Sequence, residues 1–402
     1  MRNRAGLVGV VAVLVAVAGG TVPAQTGART DAARLGFSAE RLTRITQMIE
    51  RRIAAREIPG AVTLVARKGR VVHLEARGVM AMGSSSPMTA ETLFNLASMT
   101  KPVTAVSILM LAEDGRLQLT DPVSRFIPEF KGQLVASADG ARAKASGEIT
   151  ITDLLTHTSG LISPLRTPDP PTKTLGEFIP TLGAEPLEFQ PGTRWVYSNT
   201  VAFDTLARIV EIASGQTYDR FLKDRVFGPL GMKSTMHRLD AAGTARLATR
   251  YDVTPDGLKP RESPDSTIYF AGGWGLKSTA DDYFRFAQML LNKGEFNGVR
   301  LVSPRAIELM ASVHVPDTLP GRTPGEGFGL AVRVVTDPAA RRAWISKGSF
   351  GWSGAAGTHF WVDPQEEIVA ILMVQAPAAN LRPDFETAVM QAYVGDRGAA
   401  RD

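Results

Sequence analysis

The sequence predicts an α+β fold in which an antiparallel sheet is flanked by helices and interrupted by an inserted, mainly helical region, with a cleft between them. Three observations carry this expectation. Strand-like runs lie at both ends of the chain, over 61–66 and 70–75 and again over 329–335, 354–362 and 367–374. A helical pattern lies outside the strands at each terminus, and from about 115 to 255 the chain changes to helices joined by long Pro/Gly connections. The sheet part is therefore expected from about 37–97 and 256–395, the helical part from about 98–255, together forming one domain over 37–395.

From Ser38, the apolar residues Leu42, Ile45, Met48, Ile49 and Ile53 recur at helical spacing until Pro59-Gly60 ends the element. The runs at 61–66 and 70–75 form a hairpin through Lys68-Gly69, with His73 alternating inside a strand as a structural residue. An apolar helix follows over 98–113. Residues 136–147 are small and polar, a surface loop. A short helix within 152–161 is stopped by Gly160, and its His157 reads as a buried, hydrogen-bonded histidine rather than a catalytic base. Residues 162–192 carry Pro164, Pro168, Pro170, Pro171, Pro180, Pro186 and Pro191, so extended chain able to wall a cleft is expected.

Trp195-Val196-Tyr197-Ser198-Asn199 then leads into a helix with Phe203, Leu206, Ile209, Val210 and Ala213 inward, and a further helix from Thr217 ends near Gly231. Asp281 and Asp282 favour the start of a helix that Gly294 closes. Asn297-Gly298 is a tight hairpin turn, Ser303-Pro304 opens a helix to about Met310, and Asp337-Pro338 and Asp363-Pro364 punctuate the last strands. A helix over 385–393 closes the domain.

At 402 residues and 44 % hydrophobic content the chain can bury a large core, which excludes a disordered or repeat protein. Residues 1–24 have Arg2 and Arg4, an apolar run from Leu7 to Ala18 and Val22-Pro23-Ala24, the pattern of a secretory signal cut after Ala24. Export to the periplasm or medium is expected, with an uncleaved anchor as the weaker alternative and 25–36 as a mobile linker. The absence of Cys removes disulfides, thiol nucleophiles, Cys-bound metals and lipid attachment through Cys. Net charge is +5, and +3 without Arg2 and Arg4, with no basic block that would suit nucleic acid. The five histidines show no ligand spacing, so no metal and no cofactor are expected.

The stretch with chemical content is Phe94-Asn95-Leu96-Ala97-Ser98-Met99-Thr100-Lys101. A serine and a lysine three residues apart at the start of a helix share one face and can meet. The hydroxyl needs a base to become a nucleophile, and a lysine amine serves if burial or a neighbouring cation lowers its pKa. Free N–H groups at the helix start would stabilise an oxyanion. The competing reading makes Ser98 a helix cap and Lys101 a solvated surface residue. Tyr197, with Asn199, offers a phenol to shuttle the proton, and a strand beginning near Ser353-Gly354-Ala355 can lay a backbone N–H across from Ser98.

In this order the motifs resemble the serine β-lactamase and penicillin-binding superfamily, within it the class C β-lactamases, the D-Ala-D-Ala peptidases of that type and the family VIII esterases. The resemblance covers about 40–395 and includes Ser98-Met99-Thr100-Lys101, the run from Leu154 to Leu161, Tyr197-Ser198-Asn199, Gly275-Leu276 and Gly351-Trp352-Ser353-Gly354. It implies that Ser98 is acylated, that Lys101 and Tyr197 form the base system, and that the N–H groups of Ser98 and Ala355 are the oxyanion hole. Asn199 would position Lys101 or the substrate, while Trp352, Ser353 and Gly354 would line the substrate site.

Where the β-lactamases have Lys-Thr-Gly this chain has Trp352-Ser353-Gly354. An indole offers apolar surface and one donor instead of a cation for a carboxylate, which shifts the expected substrate to uncharged esters. Lys347 is the nearest upstream cation that would substitute. Gly351-Trp352-Ser353-Gly354-Ala355 also approximates the G-x-S-x-G elbow of an α/β-hydrolase, but its last Gly is Ala, strand rather than helix follows, and His359 reads as too close to serve Ser353. The expected activity is a serine esterase; a β-lactamase, a D-Ala-D-Ala carboxypeptidase and a non-catalytic penicillin-binding-like module are the alternatives. Its partner would be a small-molecule ester, β-lactam or peptide, with no membrane insertion once the signal is removed.

Overall fold

A computed structural model describes residues 32–136, 140–161, 172–261 and 268–395. The signal-like segment 1–24, most of the linker and residues 162–171 with their four prolines lie outside the described residues.

Helix α1 (Ala39–Ala54) begins where the Ser38 hydroxyl accepts the Arg41 N–H at 3.3 Å, and it buries Leu42, Ile45, Met48 and Ile49 on one face. Strands β1 (Gly60–Arg67) and β2 (Arg70–Gly78) form the expected hairpin, whose turn residues Lys68 and Gly69 both have left-handed φ, 51° and 74°. Helix α2 (Thr100–Glu113), helix α3 (Val201–Ser214) and helix α4 (Ala280–Leu291) follow. Strands β3 (Glu326–Phe328), β4 (Arg333–Val335), β5 (Phe350–Ser353), β6 (His359–Asp363) and β7 (Ile368–Val374) then lead to helix α5 (Leu381–Met390).

These strands make one antiparallel seven-stranded sheet in the order β3-β4-β5-β6-β7-β1-β2, so the two ends of the chain meet where β7 pairs with β1, Leu64 opposite Ile371. Helices α1 and α5 cover one face and α4 packs on the other. That two-sided cover is why β1 and β7 are continuous apolar runs rather than alternating ones. Among the described residues, no helix is long and apolar enough to cross a membrane.

Several sequence expectations are corrected. The supposed strand 354–362 is two elements: β5 ends at Ser353, and Gly354–Thr358 is a turn closed by Gly354 N–H to Thr358 O at 2.8 Å and Gly357 N–H to Gly354 O at 3.0 Å. Of the supposed loop 136–147, Arg142–Lys144 is a strand that pairs with Leu134–Ala136 in a small hairpin. Residues 175–184 are not extended but form short helices at Leu175–Phe178 and Ile179–Ala184, the first opened by a Thr174–Glu177 capping box. The end of the linker is tied down, since Ala32 and Leu35 are buried in the terminal-helix layer and the Leu35 carbonyl accepts from Arg67 at 3.1 Å. Asp337-Pro338 opens a helical turn, Pro338–Arg341. The hairpin Arg250–Thr254/Gly257–Arg261 carried no sequence expectation at all.

His73 is structural as expected: it is buried, 2.8 Å from the Thr63 hydroxyl, and burial, with Arg77 nearby, lowers its pKa to about 4. His359 is also lowered to about 4, chiefly by burial. The unfolded chain takes up these protons near pH 6.5 and the folded chain does not, so each histidine removes about 3 kcal/mol of stability as pH falls from 6.5 to 4. Buried Asp204, raised to about 6, acts with the opposite sign over much of that window and offsets roughly one of them. The urea midpoint is therefore expected to fall between pH 7 and pH 4.5; an unchanged midpoint would contradict the buried neutral histidines.

Candidate active site

Ser98 does not sit in α2 itself but in the 3-10 turn Ala97–Met99 that feeds it. Ala97 has φ 47°, a left-handed conformation that a non-glycine residue holds only under constraint. The constraint is visible. Leu96 N–H donates to Leu276 O at 2.9 Å, the Leu96 carbonyl accepts Met99 N–H at 3.1 Å and the Thr358 hydroxyl at 3.2 Å, and the Tyr283 hydroxyl holds the Met99 carbonyl at 2.8 Å. Three separate pieces of the fold, at Leu276, Tyr283 and Thr358, thus fix the turn that presents Ser98.

Lys101 is 0 % exposed, which overturns the reading of it as a surface residue. Its Nζ meets three oxygens: Ser98 Oγ at 3.2 Å, Asn199 O at 2.7 Å and Gly273 O at 2.9 Å. Two carbonyls accept two N–H bonds, and in the amine form the remaining lone pair is directed to the Ser98 hydroxyl. Gly273 reaches this position because Gly272 lets the segment lie against α3; a Cβ there would be 2.2 Å from Phe203 O. Asp204, on α3, accepts Gly273 N–H at 2.9 Å and the Tyr269 hydroxyl at 2.8 Å, so it holds the backbone that holds Lys101. Asn199 therefore meets Lys101 through its main-chain carbonyl.

Tyr197 lies beside this lysine, with Lys101 Nζ 4.9 Å from the ring centroid, and its hydroxyl accepts the Trp352 indole N–H at 3.3 Å. Trp352 on β5 belongs to an aromatic wall, 5.5 Å between centroids from Tyr197 and 5.2 Å from Phe328, and Trp195 closes the wall at 5.6 Å from Phe328. His157 is behind it, buried as expected. Its Nδ1 accepts Ser198 N–H at 3.1 Å, its ring is 4.5 Å from that of Tyr197, and burial with Lys101 and Arg322 nearby pushes its pKa well below the usual value. Such an imidazole positions the Tyr197-Ser198-Asn199 segment and is a poor base.

The turn after β5 approaches Ser98 closely. A Cβ on Gly354 would be 2.3 Å from Leu96 O and 3.3 Å from Ala97 Cβ. Ala355, the next residue, is exposed at this junction. Among the described residues, neither the Ser98 N–H nor the Ala355 N–H donates to a backbone carbonyl. Ser353 is half-buried just before the turn. Lys347, by contrast, is exposed in the turn ahead of β5, at the end of the strand remote from Ser98.

Sequence reasoning missed three participants. Arg382 of α5 donates to the Gly354 carbonyl, so the cation at this end of the strand comes from the last helix. Asp204 was legible only as an acid within an apolar helical face. The third is a chain of hydrogen bonds from Ser353 Oγ to His359 Nδ1 at 2.8 Å and from His359 Nε2 to Glu386 Oε1 at 3.1 Å. By sequence separation His359 reads as too close to serve Ser353, but the β5–β6 pairing puts the two directly opposite.

A family model described as Beta-lactamase matches residues 45–393. Protein Rv1367c of Mycobacterium tuberculosis is 34 % identical over 373 residues, covering 86 % of this chain and 91 % of that protein. Esterase EstB of Burkholderia gladioli is 31 % identical over 379 residues, covering 84 % and 91 %. Among solved structures, EstCE1, a hydrolase with promiscuous acyltransferase activity, superposes with a TM-score of 0.77 at 26 % identity over 87 % of this chain and 99 % of its own. With a match across nearly the whole described domain and the serine, lysine and tyrosine motifs gathered at one junction, the chain belongs to the beta-lactamase family of serine hydrolases and their relatives.

Proposed function

We propose that this protein is an esterase that cleaves small or medium carboxylic esters through an acyl-Ser98 intermediate. The observation that carries the reading is Lys101: fully buried, 3.2 Å from Ser98 Oγ, and otherwise bonded to two carbonyls. Ser98 Oγ attacks the ester carbonyl carbon while its proton passes to the Lys101–Tyr197 pair. The oxyanion is taken up by the N–H groups of Ser98 and Ala355. Collapse breaks the ester C–O bond, the leaving alkoxide takes the proton, and water then repeats the sequence on the acyl-serine to release the acid. Tyr197 is suited to the relay because the Trp352 indole N–H supports negative charge on its oxygen.

Trp352 also supports the choice of substrate. Its ring and those of Tyr197, Phe328 and Trp195 make an apolar wall where a cation would otherwise meet a carboxylate. One observation favours the alternative, a β-lactamase or D-Ala-D-Ala carboxypeptidase in the same pocket: the Arg382 guanidinium lies beside the Gly354–Ala355 turn. A non-catalytic module is disfavoured, since it would have no physical reason to keep a buried lysine on Ser98.

A short p-nitrophenyl ester and a chromogenic cephalosporin are to be offered side by side, with Ser98→Ala as control. Turnover of the ester alone is expected. Comparable cephalosporin hydrolysis would overturn the esterase reading, and Arg382 would be the first residue to change. The proposal includes export directed by residues 1–24; fused to alkaline phosphatase in a bacterial host, that segment should yield active phosphatase outside the cytoplasm, and an inactive fusion would remove this part.

A further inference from the structure

Ser353, His359 and Glu386 come from three different elements, β5, β6 and α5, and form one hydrogen-bonded chain. The direction of its protons follows from its far end. Glu386 is 3 % exposed and bonds Arg333 at 3.2 Å and Arg341 at 3.1 and 3.2 Å as well as His359. Against the upward push of burial, the His359 hydrogen bond together with the Arg333 and Arg341 cations holds its pKa far below the carboxylate range, so it only accepts. His359, 0 % exposed, must therefore donate from Nε2 to Glu386. Burial, opposed by Glu386 and assisted by Arg333 and Arg382, keeps the ring neutral down to about pH 4, which leaves Nδ1 without a proton. The Ser353 hydroxyl consequently gives its hydrogen to Nδ1, and its remaining valences are lone pairs.

We propose that Ser353 is a specificity-determining residue whose oxygen only accepts hydrogen bonds from substrate, so that the site selects esters bearing a hydroxyl or amide N–H near the scissile carbonyl. The inference rests on the esterase reading and deepens it. Ser353 is half-buried and ends β5 directly before Gly354, which lies against Leu96 and Ala97 of the serine turn, so it stands beside the turn that presents Ser98. The chain of Ser, His and Glu also has the connectivity of an activated nucleophile. Its chemistry argues otherwise: a base must become imidazolium as it takes the proton, and a fully buried ring facing Arg333 and Arg382 resists that charge. An oriented acceptor needs no such change.

The test compares p-nitrophenyl esters of 3-hydroxybutyrate, 3-methoxybutyrate and butyrate on the purified full-length protein. Between the wild type and Ser353→Ala, the hydroxybutyrate-to-butyrate ratio of kcat/KM should fall roughly three- to tenfold, while the methoxybutyrate-to-butyrate ratio stays constant. In His359→Phe the hydroxyl hydrogen is set free to donate, and the methoxybutyrate ratio should rise. If that core variant does not fold, the Ser353→Ala ratios decide alone. An unchanged hydroxybutyrate ratio in Ser353→Ala, an equal fall of both ratios, or fluorophosphonate labelling of Ser353 in a Ser98→Ala background overturns the inference while leaving ester hydrolysis standing. Failure of the wild type to turn over any of the three esters overturns the esterase reading itself, and this inference with it.

Discussion

Ser98→Ala is expected to lower ester turnover by more than about 10⁴-fold without loss of the fold. The turn that carries Ser98 is held through Leu96, Met99 and Tyr283 rather than through the Ser98 side chain, so the variant removes the nucleophile and leaves the scaffold. Lys101→Ala should stop acylation to a similar extent, because it withdraws the group 3.2 Å from Oγ and also leaves Asn199 O and Gly273 O without their donor. Tyr197→Phe is expected to keep residual turnover, since Lys101 still contacts the serine. Rapid-quench measurement of the acylation burst separates these outcomes. Wild-type burst rates in the lysine or the tyrosine variant would remove that residue from the mechanism, and a surviving steady state in Ser98→Ala would end the acyl-Ser98 proposal.

Gly354→Ala should lower kcat by about 10²- to 10³-fold, the magnitude of a lost or displaced oxyanion donor. The new methyl would lie 2.2 Å from Thr358 Oγ1 and 2.3 Å from Leu96 O, and the second is backbone that cannot swing aside. The strand end and the serine turn must separate, which displaces the Ala355 N–H relative to Ser98. The same shift breaks the Thr358 hydroxyl bond to Leu96 O, so a drop in melting temperature accompanies the kinetic loss. Kinetics at a temperature where the variant is fully folded isolates the first effect. Activity within threefold of wild type would show that the Gly354–Ala355 peptide does not serve the oxyanion.

Much of the fold was legible because local physics dictates it. The helix from Ser38, the Lys68-Gly69 hairpin, the Thr279-capped helix over Ala280–Leu291 and the Asn297-Gly298 turn all rest on capping, periodicity or left-handed turn residues, which act within a few positions of sequence. Boundaries failed where tertiary contact overrode pattern. The run 354–362 reads as one strand, yet its first residues form a hairpin turn closed by Gly354 N–H to Thr358 O and held by the Thr358 hydroxyl on Leu96 O. Leu35 reads as linker, yet the Gly36 carbonyl accepts Val394 N–H at 2.8 Å from the far end of the chain.

The site divides in the same way. Ser98 and Lys101 share a helical face by spacing alone, and Tyr197 and Trp352 stand in recognisable motifs, so the sequence determined which groups are present and that an uncharged wall faces the serine. Only the tertiary structure decided how they are held. It is the return of the 271–275 segment against α3 that supplies the Gly273 carbonyl to Lys101, and the docking of α5 on the sheet that sets Arg382 on the Gly354 carbonyl and Glu386 on His359. Those partners lie 172, 28 and 27 residues from the groups they orient, and no pattern of side chains within one helix or strand encodes such a distance. Proton direction in particular depends on burial and on neighbouring charge, which exist only once the layers have packed.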